Sequence, residues 1–143
     1  MGAARVRPGE LVLDLGAGEG ALTAHLVAAG ARVVAVELHP RRAGVLRERF
    51  PGITVLQADA VAVPLPGRPF RVVANPPYAG VNVLVRDLLR LRQLRSADLV
   101  VAEGAARGLQ RRFPGTVSLG MPLPRTAFRH LPPAPARVVR IRA

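Results

Sequence analysis

Asn75-Pro76-Pro77-Tyr78, directly after the apolar run Phe70-Arg71-Val72-Val73-Ala74, is the segment of this chain best suited to chemistry. An exocyclic amino group on a base or an amide is a poor nucleophile, because its lone pair is delocalised into the π-system. A protein that alkylates such a nitrogen must hold it with acceptors and stack its ring. The Asn75 side-chain carbonyl and the Pro76 backbone carbonyl can accept the two N–H hydrogens, while the prolines stiffen the turn and remove competing donors. Tyr78 adds a flat face for an extruded base. Taken alone, the segment also reads as a strand running into an ordinary Pro-Pro turn.

A second motif lies upstream. Asp14-Leu15-Gly16-Ala17-Gly18-Glu19-Gly20 follows the apolar stretch Leu11-Val12-Leu13 and leads into the helical pattern Ala21, Leu22, His25, Leu26. A buried strand entering alternating glycines makes a tight turn whose backbone can approach a ligand closely. Glu37, at the end of the run Val33-Val34-Ala35-Val36, can accept both hydroxyls of a ribose. Gly16, Gly18 and Ala21 with Glu37 also satisfy the looser dinucleotide fingerprint, so the loop alone does not choose a ligand. Asp59, after Ile53-Thr54-Val55-Leu56, is placed to accept from an adenine amino group. Glycine loop, ribose acid, adenine acid and Asn-Pro-Pro-Tyr at four successive strand ends point to S-adenosylmethionine rather than a nicotinamide.

These positions need a scaffold that brings strand ends together. Apolar, β-branched runs predict strands near 10–14, 32–36, 53–57, 70–74 and 97–102, alternating with helices near 19–29, 40–49, 82–92 and 103–112. Such alternation implies right-handed crossovers and a mostly parallel, doubly wound α/β sheet, with ligands beyond the carboxyl ends of its strands. After Phe113-Pro114-Gly115 prolines interrupt the chain, and Val138-Val139-Arg140-Ile141 closes it, which predicts an antiparallel C-terminal strand pair. The 143 residues, 50% of them hydrophobic, make one domain, expected to run over residues 1–143. Aromatics are only 3%, so Val, Leu and Ala must build the core.

Composition bounds the partners. Without cysteine there is neither a disulfide nor a thiolate metal site, and no apolar run reaches a membrane span. Met1 to Pro8 carries arginines but no apolar stretch, so no signal peptide is expected and the expected location is cytoplasmic. Twenty-one basic residues against nine acidic give +12, and every basic residue is arginine. A GC-rich source would explain arginine in place of lysine but not the surplus of positive charge, which favours a polyanionic partner. Arg86, Arg90 and Arg92, with Arg95, decorate the polar side of a helix just after the Asn75 loop; they are either a solvated face or phosphate contacts. His25 reads as structural; His39-Pro40 reads as a helix cap or turn, with approach to the cofactor rim as the alternative, and Asp14 is assigned a backbone role, with orienting the glycine loop as the alternative. No Ser/His/Asp set, pair of catalytic acids or metal cluster stands out, and a metal-free monomer is expected.

Taken together, Asp14 to Gly20, Glu37, Asp59 and Phe70 to Tyr78 resemble the ribosomal RNA adenine N6-methyltransferases. The erythromycin-resistance (Erm) branch is closest in texture, with the small-subunit dimethyladenosine transferases as cousins. Ala97-Asp98-Leu99-Val100-Val101 leading to Ala105-Ala106-Arg107, and Leu123-Pro124-Arg125-Thr126-Ala127-Phe128-Arg129, extend the likeness over about residues 9 to 142. The resemblance implies a Rossmann-like S-adenosylmethionine-dependent methyltransferase fold. It further implies that Gly16, Ala17, Gly18, Glu37, Leu38, Asp59, Ala60 and Asn75 hold the cofactor. Asn75 and Pro76 hold the adenine amine on the same reading, with Tyr78 and Phe128 stacking on its ring. The implied activity is methylation of an adenine N6 in ribosomal RNA, the 23S molecule in an Erm-type enzyme, with macrolide-type resistance as the consequence. Against the family pattern, few residues precede the first strand, the family's C-terminal helical domain is expected to be missing, and Ala102-Glu103-Gly104-Ala105-Ala106-Arg107 departs from the corresponding run. The residues also admit a methyltransferase acting on DNA adenine or protein glutamine, or a non-catalytic RNA-binding relative.

Overall fold

The fold is that of a computed structural model, which describes residues 6–76, 80–124 and 135–142. Four helices and seven strands follow one another along the chain. They are β1 (Leu11–Leu15), α1 (Ala21–Ala28), β2 (Arg32–Val36), α2 (Pro40–Arg49), β3 (Thr54–Leu56), β4 (Phe70–Ala74), α3 (Val81–Leu89), β5 (Leu94–Ala102), α4 (Glu103–Arg112), β6 (Val117–Leu123) and β7 (Ala136–Arg142). The strands form one sheet in the order β3-β2-β1-β4-β5-β7-β6. The first five pair in parallel, and β7 pairs antiparallel with both β5 and β6. The mixed sheet and the C-terminal antiparallel pair are those that the sequence predicts.

The period-2 alternation of strand side chains divides the core into two layers. Val12, Val33, Ala35 and Val73 face one side, where they pack with Leu26 of α1 and Leu46 of α2. Leu13, Leu15, Phe70, Val72 and Ala74 face the other, against Val81, Leu84, Val85 and Leu88 of α3 and Ala106 and Leu109 of α4. Both faces of the central strands are therefore covered, which explains why they read as continuous apolar runs rather than alternating ones.

Several boundaries differ from the sequence reading: α1 starts two residues later, at Ala21, and α3 ends at Leu89 rather than near 92. Strand β5 begins at Leu94 rather than near 97, because the polar Ser96 is satisfied within the sheet: its hydroxyl accepts from the Arg71 guanidinium at 2.7 Å. Pro122 lies inside β6, an edge strand, where the register shifts between Leu119 and Pro122. A proline is tolerated there because an edge strand has one face free of ladder hydrogen bonds. Strand order reverses between β1 and β4, where the chain leaves β1 toward β2 on one side and reaches β4 on the other. A crevice therefore opens beyond their carboxyl ends.

Candidate functional site

That crevice is a cleft of about 710 Å³. Its wall contains Gly16, Ala17, Gly18, Glu37, Leu38, Asp59, Ala60 and Asn75, so all eight residues expected at the cofactor come together. They arrive from the carboxyl ends of β1, β2, β3 and β4, four neighbouring parallel strands. Pro76 follows Asn75 and is buried. Tyr78 and Phe128, expected at the target ring, lie outside the described residues, as does Pro77.

The glycine loop wraps closely on the sheet. The N–H groups of Gly16 and Ala17 both donate to the Val36 carbonyl, at 2.9 and 3.0 Å, and the Asn75 N–H donates to the Leu15 carbonyl at 3.2 Å. Gly16 has φ +73°, and a Cβ added there would stand 2.8 Å from the Asn75 backbone oxygen. Only glycine serves at this point, since it supplies the left-handed backbone and lets the β4 loop come close. Asn75 itself is exposed and lines the cleft.

Glu37 is 6% exposed. One carboxylate oxygen accepts from the Gly18 N–H at 2.9 Å and the other from the His39 N–H at 2.8 Å. The Arg42 guanidinium stands 3.4 Å from the second oxygen. Because an ionised carboxylate offers about four acceptor positions, Glu37 is oriented by the backbone and keeps capacity for a diol. Asp59 is exposed and accepts the Val61 N–H at 3.0 Å, which fixes its carboxylate and likewise leaves capacity over. His39 caps α2: its Nδ1 accepts from the Arg41 N–H at 3.2 Å, with Pro40 at the start of the helix.

A family model described as "Ribosomal RNA adenine dimethylase" matches residues 1–118. The chain belongs to that family. A ribosomal RNA small subunit methyltransferase A of Leifsonia xyli subsp. xyli is 40% identical over 139 residues, covering 87% of this chain and 48% of the relative. The mycinamicin-resistance protein MyrB of Micromonospora griseorubida is 40% identical over 97 residues, covering 67% of this chain and 31% of the relative. Among solved structures, the 23S rRNA methyltransferase ErmE superposes with a TM-score of 0.86 at 28% identity, covering 97% of this chain and 63% of that one. The chain spans about half or less of the length of these curated relatives. Its fold is the Rossmann-like fold of S-adenosylmethionine-dependent methyltransferases, a class whose cofactor the family and fold imply.

In this member of the rRNA adenine dimethylase family, Asp14 uses its side chain as well as its backbone. Its side chain is 1% exposed, and one oxygen accepts the Thr23 hydroxyl at 2.5 Å, tying α1 to the end of β1. Burial raises the Asp14 carboxyl to about 6; the charge of Glu37 adds to the rise, and the Thr23 hydroxyl opposes it. Sequence reasoning singled out neither Thr23 nor Arg42 and Arg49, which stand in the cleft wall, because no motif along the chain marks them. Arg49 donates to the Glu19 carbonyl at 2.5 Å, so it braces the glycine loop from the neighbouring helix. Of the arginines grouped after the Asn75 loop, Arg86 and Arg90 are exposed on α3 and at its C-cap. Arg92 lies in the following turn, and Arg95 belongs to β5. Among the described residues no group of three or more His, Cys, Asp or Glu comes together, and no helix is long and apolar enough to cross a membrane.

Proposed function

We propose that the chain binds S-adenosylmethionine in this cleft and serves transfer of its methyl group to the N6 amine of an adenine in ribosomal RNA. One observation carries the reading: acceptors for a ribose and for an adenine, a close-approach glycine loop, and the exposed Asn75, with Pro76 next to it in the chain, share one cleft. The donor set fits the cofactor. Glu37 has acceptor capacity for the ribose hydroxyls, Asp59 for the adenine amine, and the space around Gly18, where nothing lies within 4 Å of an added Cβ, leaves room for the amino-acid end. When bound, the cofactor supplies an electrophilic methyl group on a sulfonium.

The remaining work falls to the chain itself. Asn75 and the Pro76 carbonyl accept the two hydrogens of the target amine, which orients its nitrogen and concentrates lone-pair density upon it. Tyr78 and Phe128 stack on the extruded ring, since base stacking contributes about 1–3 kcal/mol per base. Holding the nitrogen in line accounts for most of the rate gain through proximity, and no strong base is required. Arginine-rich surface supplies the sequence-independent attraction to RNA.

The likeness to the 23S rRNA methyltransferase ErmE favours 23S rRNA, and the likeness to the mycinamicin-resistance protein MyrB favours antibiotic resistance of the macrolide type as the outcome. The longer match to the Leifsonia small-subunit enzyme favours small-subunit rRNA as the second reading. Incubation with methyl-labelled S-adenosylmethionine and separated 23S rRNA, small-subunit rRNA, DNA and protein fractions tests both. Label in 23S rRNA is expected; label in small-subunit rRNA selects the second reading, and label confined to DNA or protein overturns both.

A further inference from the structure

We infer that the opposite edge of the sheet, at the amino ends of its central strands, is a second contact surface for the phosphate backbone of RNA. A pocket of about 440 Å³ opens there, lined by Arg7, Arg32, Arg68 and Arg95 together with Glu10. Strand order explains the gathering. Arg32 opens β2, Arg7 precedes β1, Arg68 precedes β4 and Arg95 is the second residue of β5, and these four strands are neighbours in the order β2-β1-β4-β5. At about 4.8 Å between strands, the row is about 14 Å wide. Five residues of β1 separate it from the cofactor cleft, so it lies roughly 15 Å away at the opposite end of the same strands.

Glu10 offsets only part of this charge: Arg71 engages one of its carboxylate oxygens, the Arg7 N–H donates to the other at 3.3 Å, and Arg95 attracts the same carboxylate, so a single acid faces four lining arginines. The Arg71 hydrogen bond holds the Glu10 carboxyl below its ordinary value, while partial burial works against that. No other carboxylate lines the pocket, and all four lining arginines are exposed. The frame is fixed by backbone hydrogen bonds: Gly9 N–H to the Gly30 carbonyl at 2.9 Å, Arg32 N–H to Glu10 at 2.8 Å, and Phe70 N–H to Gln93 at 3.0 Å. Like charges held around one concavity repel unless an anion enters, and planar guanidinium forks bind phosphate oxygens bidentately. A convex solvated face would carry the same arginines without this gathering. In a chain of +12 already read as acting on RNA, a flexible polyanion that passes around the domain is the occupant that the charge selects.

This inference rests on the proposed RNA substrate, and its test separates the two. Binding of a fluorescein-labelled single-stranded RNA oligonucleotide is measured across a salt series for the parent, for Arg32→Gln/Arg68→Gln/Arg95→Gln, and for the triple Lys variant. Calorimetric S-adenosylmethionine binding by each protein checks the cofactor cleft. The Gln variant should bind RNA at least tenfold more weakly, with the log–log salt slope reduced by roughly 2 units, about 0.7 per lost contact. The Lys variant should keep the parental slope, and cofactor affinity should be unchanged in all three. A Gln variant with the parent's slope overturns the second surface while leaving the RNA reading intact. A parent that binds no RNA overturns both, and cofactor binding then still reports on the cleft by itself.

Discussion

Replacing Gly16 by alanine should damage both stability and cofactor binding more than the same change two residues later. Gly16 and Gly18 both have left-handed backbones, φ +73° and +61°. An L side chain in that region costs roughly 1–2 kcal/mol at either position. The positions differ in what the new methyl group meets. At Gly18 nothing lies within 4 Å, whereas at Gly16 the Cβ would stand 2.8 Å from the Asn75 carbonyl oxygen, where ordinary contact begins at 3.4 Å. The β4 loop must therefore retreat by about 0.6 Å or the glycine loop must open, an overpacking typically costing a further 1–3 kcal/mol. For a domain of this size each kcal/mol lowers Tm by about 3–4 °C, so Gly18→Ala should lose about 5 °C and Gly16→Ala at least about 4 °C more. Thermal unfolding by circular dichroism gives Tm, and calorimetry gives S-adenosylmethionine affinity, which should fall further in Gly16→Ala because Asn75 moves with the loop. Equal Tm values for the two variants would refute the close-approach argument.

Two further perturbations probe the acids in the cleft. Glu37→Gln keeps the shape but sets an amide NH₂ against either the Gly18 or the His39 N–H and weakens the ribose acceptor. S-adenosylmethionine affinity by calorimetry should drop roughly tenfold, since hydrogen bonds to a charged group contribute about 1.5–3 kcal/mol; an unchanged affinity in a folded variant removes Glu37 from the site. Asp14, raised from 3.8 to about 6, makes the native chain hold a proton that the unfolded chain has released between those values. Its contribution to stability is therefore fully present below about pH 4 and lost as pH rises to about 6, a change of about 3 kcal/mol. Asp14→Asn should cancel that slope in denaturant titrations across this window, and parallel curves for parent and variant would contradict it.

The strand ends that form the cleft were legible because each apolar run stops at a residue of different character: Leu15 before Gly16, Val36 before Glu37, Ala74 before Asn75. Parallel pairing then brings those stops to one edge, so a reading along the chain already implied a shared site. What depended on helix rotation was not legible. The contact between Thr23 and Asp14 needs the phase of α1 over β1, and Arg42 and Arg49 enter the cleft only through the angle at which α2 returns. Arg95 was grouped with Arg86 and Arg90 by proximity in sequence, but the turn after α3 carries it onto β5 and toward the opposite edge. Ser96 hid the start of β5 for a similar reason: its partner Arg71 is on another strand.

The claim that Asn75 holds a target adenine in ribosomal RNA is tested most directly by mass spectrometry of digested rRNA. The RNA is first incubated with deuteromethyl S-adenosylmethionine and either the parent chain or Asn75→Ala. The parent should yield deuterium-labelled N6-methyladenine, and Asn75→Ala should yield none while its RNA affinity, set mainly by phosphate contacts, falls little. Labelled N6-methyladenine made equally by Asn75→Ala, or none made by a parent that binds both the cofactor and RNA, would contradict the account.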